Sequence, residues 1–123
     1  MQLTTPYPAE LRAALTRQYL WEAGFALETS RKTAERGDVF HVAGGLFRCV
    51  ACLVQVLFAL NECYWTNEKG SVTVAAYFPL SPPKFEQRVE SVLANPGRSG
   101  ARLKRSIDRL ERLERETREL CEG

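Results

Sequence analysis

The sequence predicts an all-α protein, an antiparallel up-down bundle of four main helices. Three observations carry that prediction. Apolar residues recur at steps of three and four through most of the chain, the period of a helix with one buried stripe. Every proline falls between those stretches or at their edges, where it ends or opens a helix rather than breaking one. The single β-prone run, Val72-Thr73-Val74, has no partner strand elsewhere, and an isolated strand is not stable. Short connections between successive helices make neighbours antiparallel. A length of 123 residues suits one domain, taken as residues 1–123.

The first helix is expected from about Ala9 to Arg36, behind Pro6 and Pro8. Leu11, Leu15, Tyr19, Ala23, Ala26 and Leu27 form its stripe, and Trp21 and Phe25 are read as widening it. Gly37 is the expected C-cap. Asp38 is the expected N-cap of a second helix running from Val39 to Tyr64 or Trp65, on the order of 40 Å at about 1.5 Å per residue. This helix is apolar almost all round, so it lies either at the centre of a bundle or in a membrane. His41, Arg48 and Gln55 interrupt it, and Arg48 would sit near mid-bilayer, where charge is costly; a central bundle helix is expected, with no membrane partner.

Asn67 to Gly70 reads as a turn, and Ser71 to Phe78 as a short helix or ordered loop. A third helix is expected over Pro83–Ala94, with Phe85, Val89, Val92 and Leu93 inward. After a loop from Asn95 to Gly100, a fourth runs over Ala101–Leu120. Leu103, Ile107, Leu110, Leu113 or Glu114, Thr117, and Leu120 or Cys121 face inward at near-heptad spacing. Its other faces alternate Arg and Glu.

Seventeen Lys and Arg stand against fifteen Asp and Glu, a net charge of +2. So small an excess gives no reason to expect direct nucleic-acid binding. The stretch from Met1 to Glu10 lacks a basic start followed by an apolar run, and a cytoplasmic, reducing location is expected. Cys49 and Cys52 form a CxxC, but within a helix and without a second ligand pair, so buried small hydrophobes are the expected reading.

The most informative polar feature is a stripe of His41, Arg48, Gln55 and Glu62, each seven residues apart and so on one helix face. Gly44, Gly45, Cys52 and Ala59 lie close to that face and are small. The stripe is either the wall of a groove, the one solvated strip of the helix, or a structural line in which Arg48 pairs with Glu22 or Glu28. A second feature is the helix end carrying Tyr64, Trp65, Asn67 and Lys69. It reads as a binding surface, in which Lys69 beside Gly70 meets an anion, or as a capped terminus.

Catalytic motifs are missing. No Walker-type loop, GxGxxG or nucleophile elbow occurs, and Asp38 and Asp108 are the only aspartates. With one histidine no His-based metal site forms, and His41 lies about 16 Å along the helix from Cys52, too far for proton transfer. No residue of the chain is assigned a catalytic or metal-binding role.

The run Arg48-Cys49-Val50-Ala51-Cys52-Leu53-Val54-Gln55-Val56-Leu57-Phe58-Ala59-Leu60-Asn61, with Tyr64-Trp65 and Asn67-Glu68-Lys69-Gly70 after it, resembles the C-terminal helical domain of bacterial nucleotidyltransferases of the DNA polymerase beta superfamily. Tyr19-Leu20-Trp21-Glu22, Phe25-Ala26-Leu27-Glu28 and Gly37-Asp38-Val39-Phe40 extend the resemblance over Leu11 to Phe85. In that family a separate domain holds magnesium and the nucleoside triphosphate through a Gly-Ser motif and paired aspartates. The helical domain packs on it and helps bind the acceptor. This chain has no Gly-Ser and aspartate motif, so the resemblance implies no cofactor here and an accessory role, with the catalytic domain in cis or in trans. His41, Arg48, Gln55, Glu62, Tyr64, Trp65, Asn67 and Lys69 are the candidate substrate-binding residues, and a small-molecule acceptor is one candidate ligand. The alternative function is a stand-alone helical interaction module that forms a homodimer.

Overall fold

The computed structural model describes residues 6–67 and 69–123. Among the described residues there are five helices and no strand: α1 (Ala9–Ala34), α2 (Val39–Leu60), α3 (Ser71–Ala76), α4 (Phe85–Ala94) and α5 (Gly100–Glu122). The protein is all-α. The stretch from Ser71 is the short helix α3, which brings the total to five rather than four.

Local chemistry sets the ends of α1 and α2. Gly37 turns left-handed at φ +68°, and its N–H donates to Ala34 O at 2.9 Å while Asp38 N–H donates to Thr33 O at 3.1 Å. This doubly bonded stop satisfies carbonyls that the end of a helix leaves free. Asp38 then caps α2, its Oδ1 accepting from His41 N–H at 3.1 Å.

The end of α2 departs from expectation. The helix stops at Leu60, not at Tyr64 or Trp65. The cause is Glu62, which takes the left-handed position usually given to glycine, φ +58°. Its N–H donates to Ala59 O at 3.0 Å, and Cys63 N–H donates to Phe58 O at 2.9 Å, the same doubly bonded stop as at Gly37. Glu62 is therefore not on the face shared by His41, Arg48 and Gln55. Asn61 secures the stop. Its Nδ2 donates to Leu57 O and to Leu80 O, both at 2.8 Å, and its Oδ1 accepts from Leu80 N–H at 3.0 Å. Arg12 Nε donates to Leu60 O at 3.2 Å, setting a cation at the negative end of the helix.

Cross-links give the directions of the pairs. Arg12 at the start of α1 meets the end of α2, and Thr33 near its end meets His41, Oγ1 to Nδ1 2.8 Å, at the start of α2. Arg31 reaches Asp108 at 2.9 Å and Glu111 at 3.2 Å, and Glu35 reaches Lys104 at 3.7 Å, so α1 also runs against α5. Arg88 of α4 binds both oxygens of Glu116 at 2.8 Å, while Arg109 donates to Ser91 at 2.6 Å.

Helix α2 is central, contacting each of the other four helices. By length and apolar composition it could cross a membrane, but most of it is buried within the protein. Leu46, Leu53, Val56 and Leu57 lie fully inside beside Leu27, Phe85, Val89, Leu103, Ile107 and Leu110. Cys49 and Cys52 are buried among them, and burial pushes the Cys49 thiol far above its ordinary range. Two aromatics expected in the stripe of α1 are not. Trp21 is 65% exposed and Phe25 55% exposed. At about 100° per residue they point about 150° from the mean direction of Leu20, Ala23, Leu27 and Ala34, so the buried stripe could not contain them.

Helices α1 and α2 come close together at Gly45. A Cβ there would lie 1.9 Å from Ser30 Oγ and 3.2 Å from both Ser30 Cβ and Ala26 O. Ser30 is itself fully buried, its hydroxyl donating to Ala26 O at 2.8 Å.

Two predictions follow from these contacts. Gly45→Ala should destabilise the fold by about 1–2 kcal/mol in urea unfolding, the overpacking cost less the better helix propensity of alanine. Ser30→Ala in the same chain should recover part of that loss. Glu62→Gly should stabilise by about 0.5–1 kcal/mol, because it removes a left-handed strain that glycine does not feel. A loss of stability in Glu62→Gly would mean that the side chain of Glu62 contributes more than its backbone costs.

Candidate functional site

Two concavities flank Arg48. The larger is an open groove of about 780 Å³ between α1 and α2. Trp21 and Phe25, one turn apart on α1, stack in it with ring centroids 5.1 Å apart and planes 9° apart. Gly45, opposite on α2, carries no side chain to cover them. Arg17, Gln18, Glu22, Thr29, His41 and Arg48 supply the polar margin. The smaller is a recess of about 230 Å³ where α1, α2, α3 and α4 meet. Tyr19, Phe47, Cys52, Gln55, Trp65 and Val72 are among the residues around it, and Arg48 lies on its rim as well.

Arg48 forms an ion pair with Glu22 across the two helices. Glu22 also accepts from Gln18 Nε2 at 3.2 Å. The Gln18 amide, and then the Arg48 guanidinium, hold the Glu22 carboxyl below its ordinary value. Arg48 is more than half exposed, so the pair is a surface pair and contributes little stability. It ties Arg48 to α1 where the two cavities meet, and among the described residues Glu22 is the hydrogen-bond partner of its guanidinium.

Trp65 lines the smaller recess, and its indole Nε1–H, shut off from solvent, has no hydrogen-bond partner among the described residues. A donor left unsatisfied inside a protein costs free energy and is rare. That nitrogen has almost no solvent-accessible surface, so it faces packed protein while other atoms of Trp65, with Gln55 and Arg48, line the recess. The Cys52 thiol is pushed up by burial even though Arg48 pulls the other way, so it is not activated as a nucleophile.

The expected site residues divide accordingly. His41 and Arg48 border the groove, and Arg48, Gln55 and Trp65 border the recess. His41 and Gln55 each reach only one of the two. The others lie elsewhere. Tyr64 packs its ring on Tyr7, centroids 4.8 Å apart, and Glu62, Asn67 and Lys69 are exposed in the turn and loop after α2. Glu68 lies outside the described residues. Trp21, Phe25 and Gln18 were not among the expected site residues. Their signal was present in the helical wheel of α1, where Arg17, Gln18, Trp21, Glu22 and Phe25 share the side away from the core. Among the described residues no group of three or more His, Cys, Asp or Glu side chains is placed to hold a metal ion.

In Arg48→Ala the Glu22 carboxyl should titrate nearer its ordinary value of 4.5, Gln18 still holding part of the shift. Carbon-detected NMR titration of the glutamates reads this directly. Because the native value is depressed, the pair stabilises the fold above the ordinary carboxylate range and is lost as pH falls through the depressed value. That acid-side loss should shrink in the variant. Comparison with known proteins finds no match: no protein-family model, curated protein or solved structure matches this chain significantly.

Proposed function

We propose that this chain is a binding domain and not a catalyst: an acceptor-binding helical domain that works with a separately folded nucleotidyltransferase catalytic domain, in cis or in trans. We read its four longer helices as an up-down bundle, with α3 as a short insertion. The observation that carries the proposal is the pair of cavities sharing Arg48, one floored by exposed aromatic rings and one walled by Tyr19, Gln55 and Trp65. Rigid aromatic surface with a few converging polar groups is the usual make-up of a small-molecule site. Apart from Leu93, the residues lining both cavities lie within the stretch that resembles the nucleotidyltransferase helical domain. Arg48 is the polar anchor, Trp21 and Phe25 the aromatic floor, and Gln55 the polar group of the inner recess, with the Trp65 ring on its wall. Magnesium and the nucleoside triphosphate would belong to the catalytic domain.

The coding DNA on either side of the chain tests the first half of this reading. It should carry a Gly-Ser motif with paired aspartates, in frame or as a neighbouring gene. The second half is tested with that catalytic domain and this chain together, following pyrophosphate release from a nucleoside triphosphate with aminoglycosides as acceptor probes. Arg48→Ala should raise the acceptor KM at least about tenfold, roughly 1.4 kcal/mol, with kcat little changed, the pattern of lost uniform binding. If no such catalytic domain is encoded nearby, or Arg48→Ala leaves KM as it was, the reading fails.

A second reading has its own support. Phe40, 91% exposed, and Phe47, 57% exposed, lie seven residues apart on one face of α2. A stand-alone module that dimerises through this face, with α5, would cover them. Sedimentation equilibrium decides: a dimer that Phe40→Ser dissociates favours this reading, and a monomer at all concentrations removes it.

A further inference from the structure

The small net charge conceals a strong local one. From Gly100 to Arg112, α5 carries Arg102, Lys104, Arg105, Arg109 and Arg112 against only Asp108 and Glu111. Both acids are taken by Arg31 of α1. Arg102, Arg105, Arg109 and Arg112 follow steps of three and four, so they share an arc of about 80° and a length of about 15 Å. All four are exposed. Arg102 and Arg105 make no ion pair or hydrogen bond through their side chains among the described residues, and Arg109 contacts only the Ser91 hydroxyl. Like charges one turn apart, beginning in the first turn of the helix, oppose helix formation. Among the described residues none of the four forms an ion pair that would offset this cost, although Arg112 feels the charge of Glu116.

The stripe is also shaped. Two adjoining recesses lie along it, about 210 Å³ beside Asn95, Gly97, Arg102 and Ser106, and about 300 Å³ beside Arg88 and Arg112. Arg105 and Arg109 border both. Neither recess has an aromatic wall, so neither is built to stack a base or hold a large apolar group. Asp108, paired with Arg31, and Arg88, taken by Glu116, also line the larger recess; the open donors are the planar guanidinium forks of the stripe, the geometry that matches phosphate oxygens.

We infer that this face of α5 binds the phosphodiester backbone of a nucleic acid, without reading its bases. Charge density selects this ligand over an acidic peptide. One strand of a duplex carries a charge about every 3.4 Å, so about four fall within 15 Å. An extended peptide presents a side chain to one face only about every 6.6 Å, so about two would. Four arginines in that length match the first. The inference is independent of the groove between α1 and α2 and of the function proposed for it.

Fluorescence anisotropy with a labelled mixed-sequence 20-nucleotide RNA strand, and with a 20-base-pair DNA duplex, tests this on the intact chain. Binding at 50 mM salt should weaken with added salt, with a log–log slope of about −2.8 for the strand or about −3.6 for the duplex, as four neutralised phosphates require. The steeper and tighter of the two identifies the source. Arg102→Gln/Arg105→Gln, which breaks no internal contact, should weaken binding at least about tenfold and reduce the slope by about half. Arg115→Gln removes one charge on another flank and should change little. Should the double variant lose helix content, amide shifts of the native chain on adding RNA decide instead, and they should map to Arg102–Arg112. Failure to bind either probe at 50 mM salt, equal weakening in Arg115→Gln, or shifts confined elsewhere overturns the inference. Displacement by polyglutamate at matched charge also overturns it, and assigns the stripe to an acidic polypeptide.

Discussion

The contact on which this molecule depends is the close approach of α1 and α2 at Gly45. With no Cβ on Gly45 and only a hydroxyl on Ser30, the two backbones come near enough for Ser30 Cβ and Ala26 O to stand 3.2 Å from where a Cβ would be. The Ser30 hydroxyl is turned back to Ala26 O and asks nothing of α2. A buried polar group is thus satisfied within its own helix, and the seam between the helices stays free of unmet donors. Because the seam is tight, α2 is held along most of its length against α1 and gives its remaining faces to α3, α4 and α5. A helix this apolar is stable in water only when it is wrapped in that way.

The same seam makes the candidate site. Small residues that let helices approach leave nothing above the seam to cover a neighbour's ring. Trp21 and Phe25 stack on each other across from Gly45, so part of their surface is shielded by pairing, and the rest faces the groove. Arg48 stands one turn further along, braced by Glu22. The groove is a consequence of the packing, not an addition to it. Any change that separates the helices at Gly45 alters the site as well as the stability.

Much of this was legible in the sequence. Gly37 and Asp38 announced the turn between α1 and α2 because each is the residue type its backbone position demands. The inward positions of α4 and α5, and the buried Cys49 and Cys52, followed from period and from the habits of free thiols. The end of α2 was not legible. Glu62 stops the helix in a left-handed position that favours glycine or asparagine, so no composition cue marks it, and the apolar run continues to Trp65 as though the helix did. That error carried Glu62 onto a face it does not share, and it placed Tyr64, Asn67 and Lys69 near a helix end that lies earlier. Trp21 and Phe25 were missed for the opposite reason. Large aromatics beside an apolar stripe read as core, and only their angle on the helix separates them from it.

Ion pairs explain why the charge on α5 is segregated. Asp108 and Glu111 pair with Arg31 where α5 meets α1, and Glu116 pairs with Arg88 where α4 meets α5. Glu114, buried, is met by Arg118 on its own helix. Each of these pairs uses a carboxylate near a helix contact, and each carboxylate so used no longer balances an arginine on the outer flank. The arginines of the first half of α5 are what remains when the acids have been placed for packing. A near-neutral chain therefore presents a positive ridge, and its total charge says little about the partner that ridge would meet.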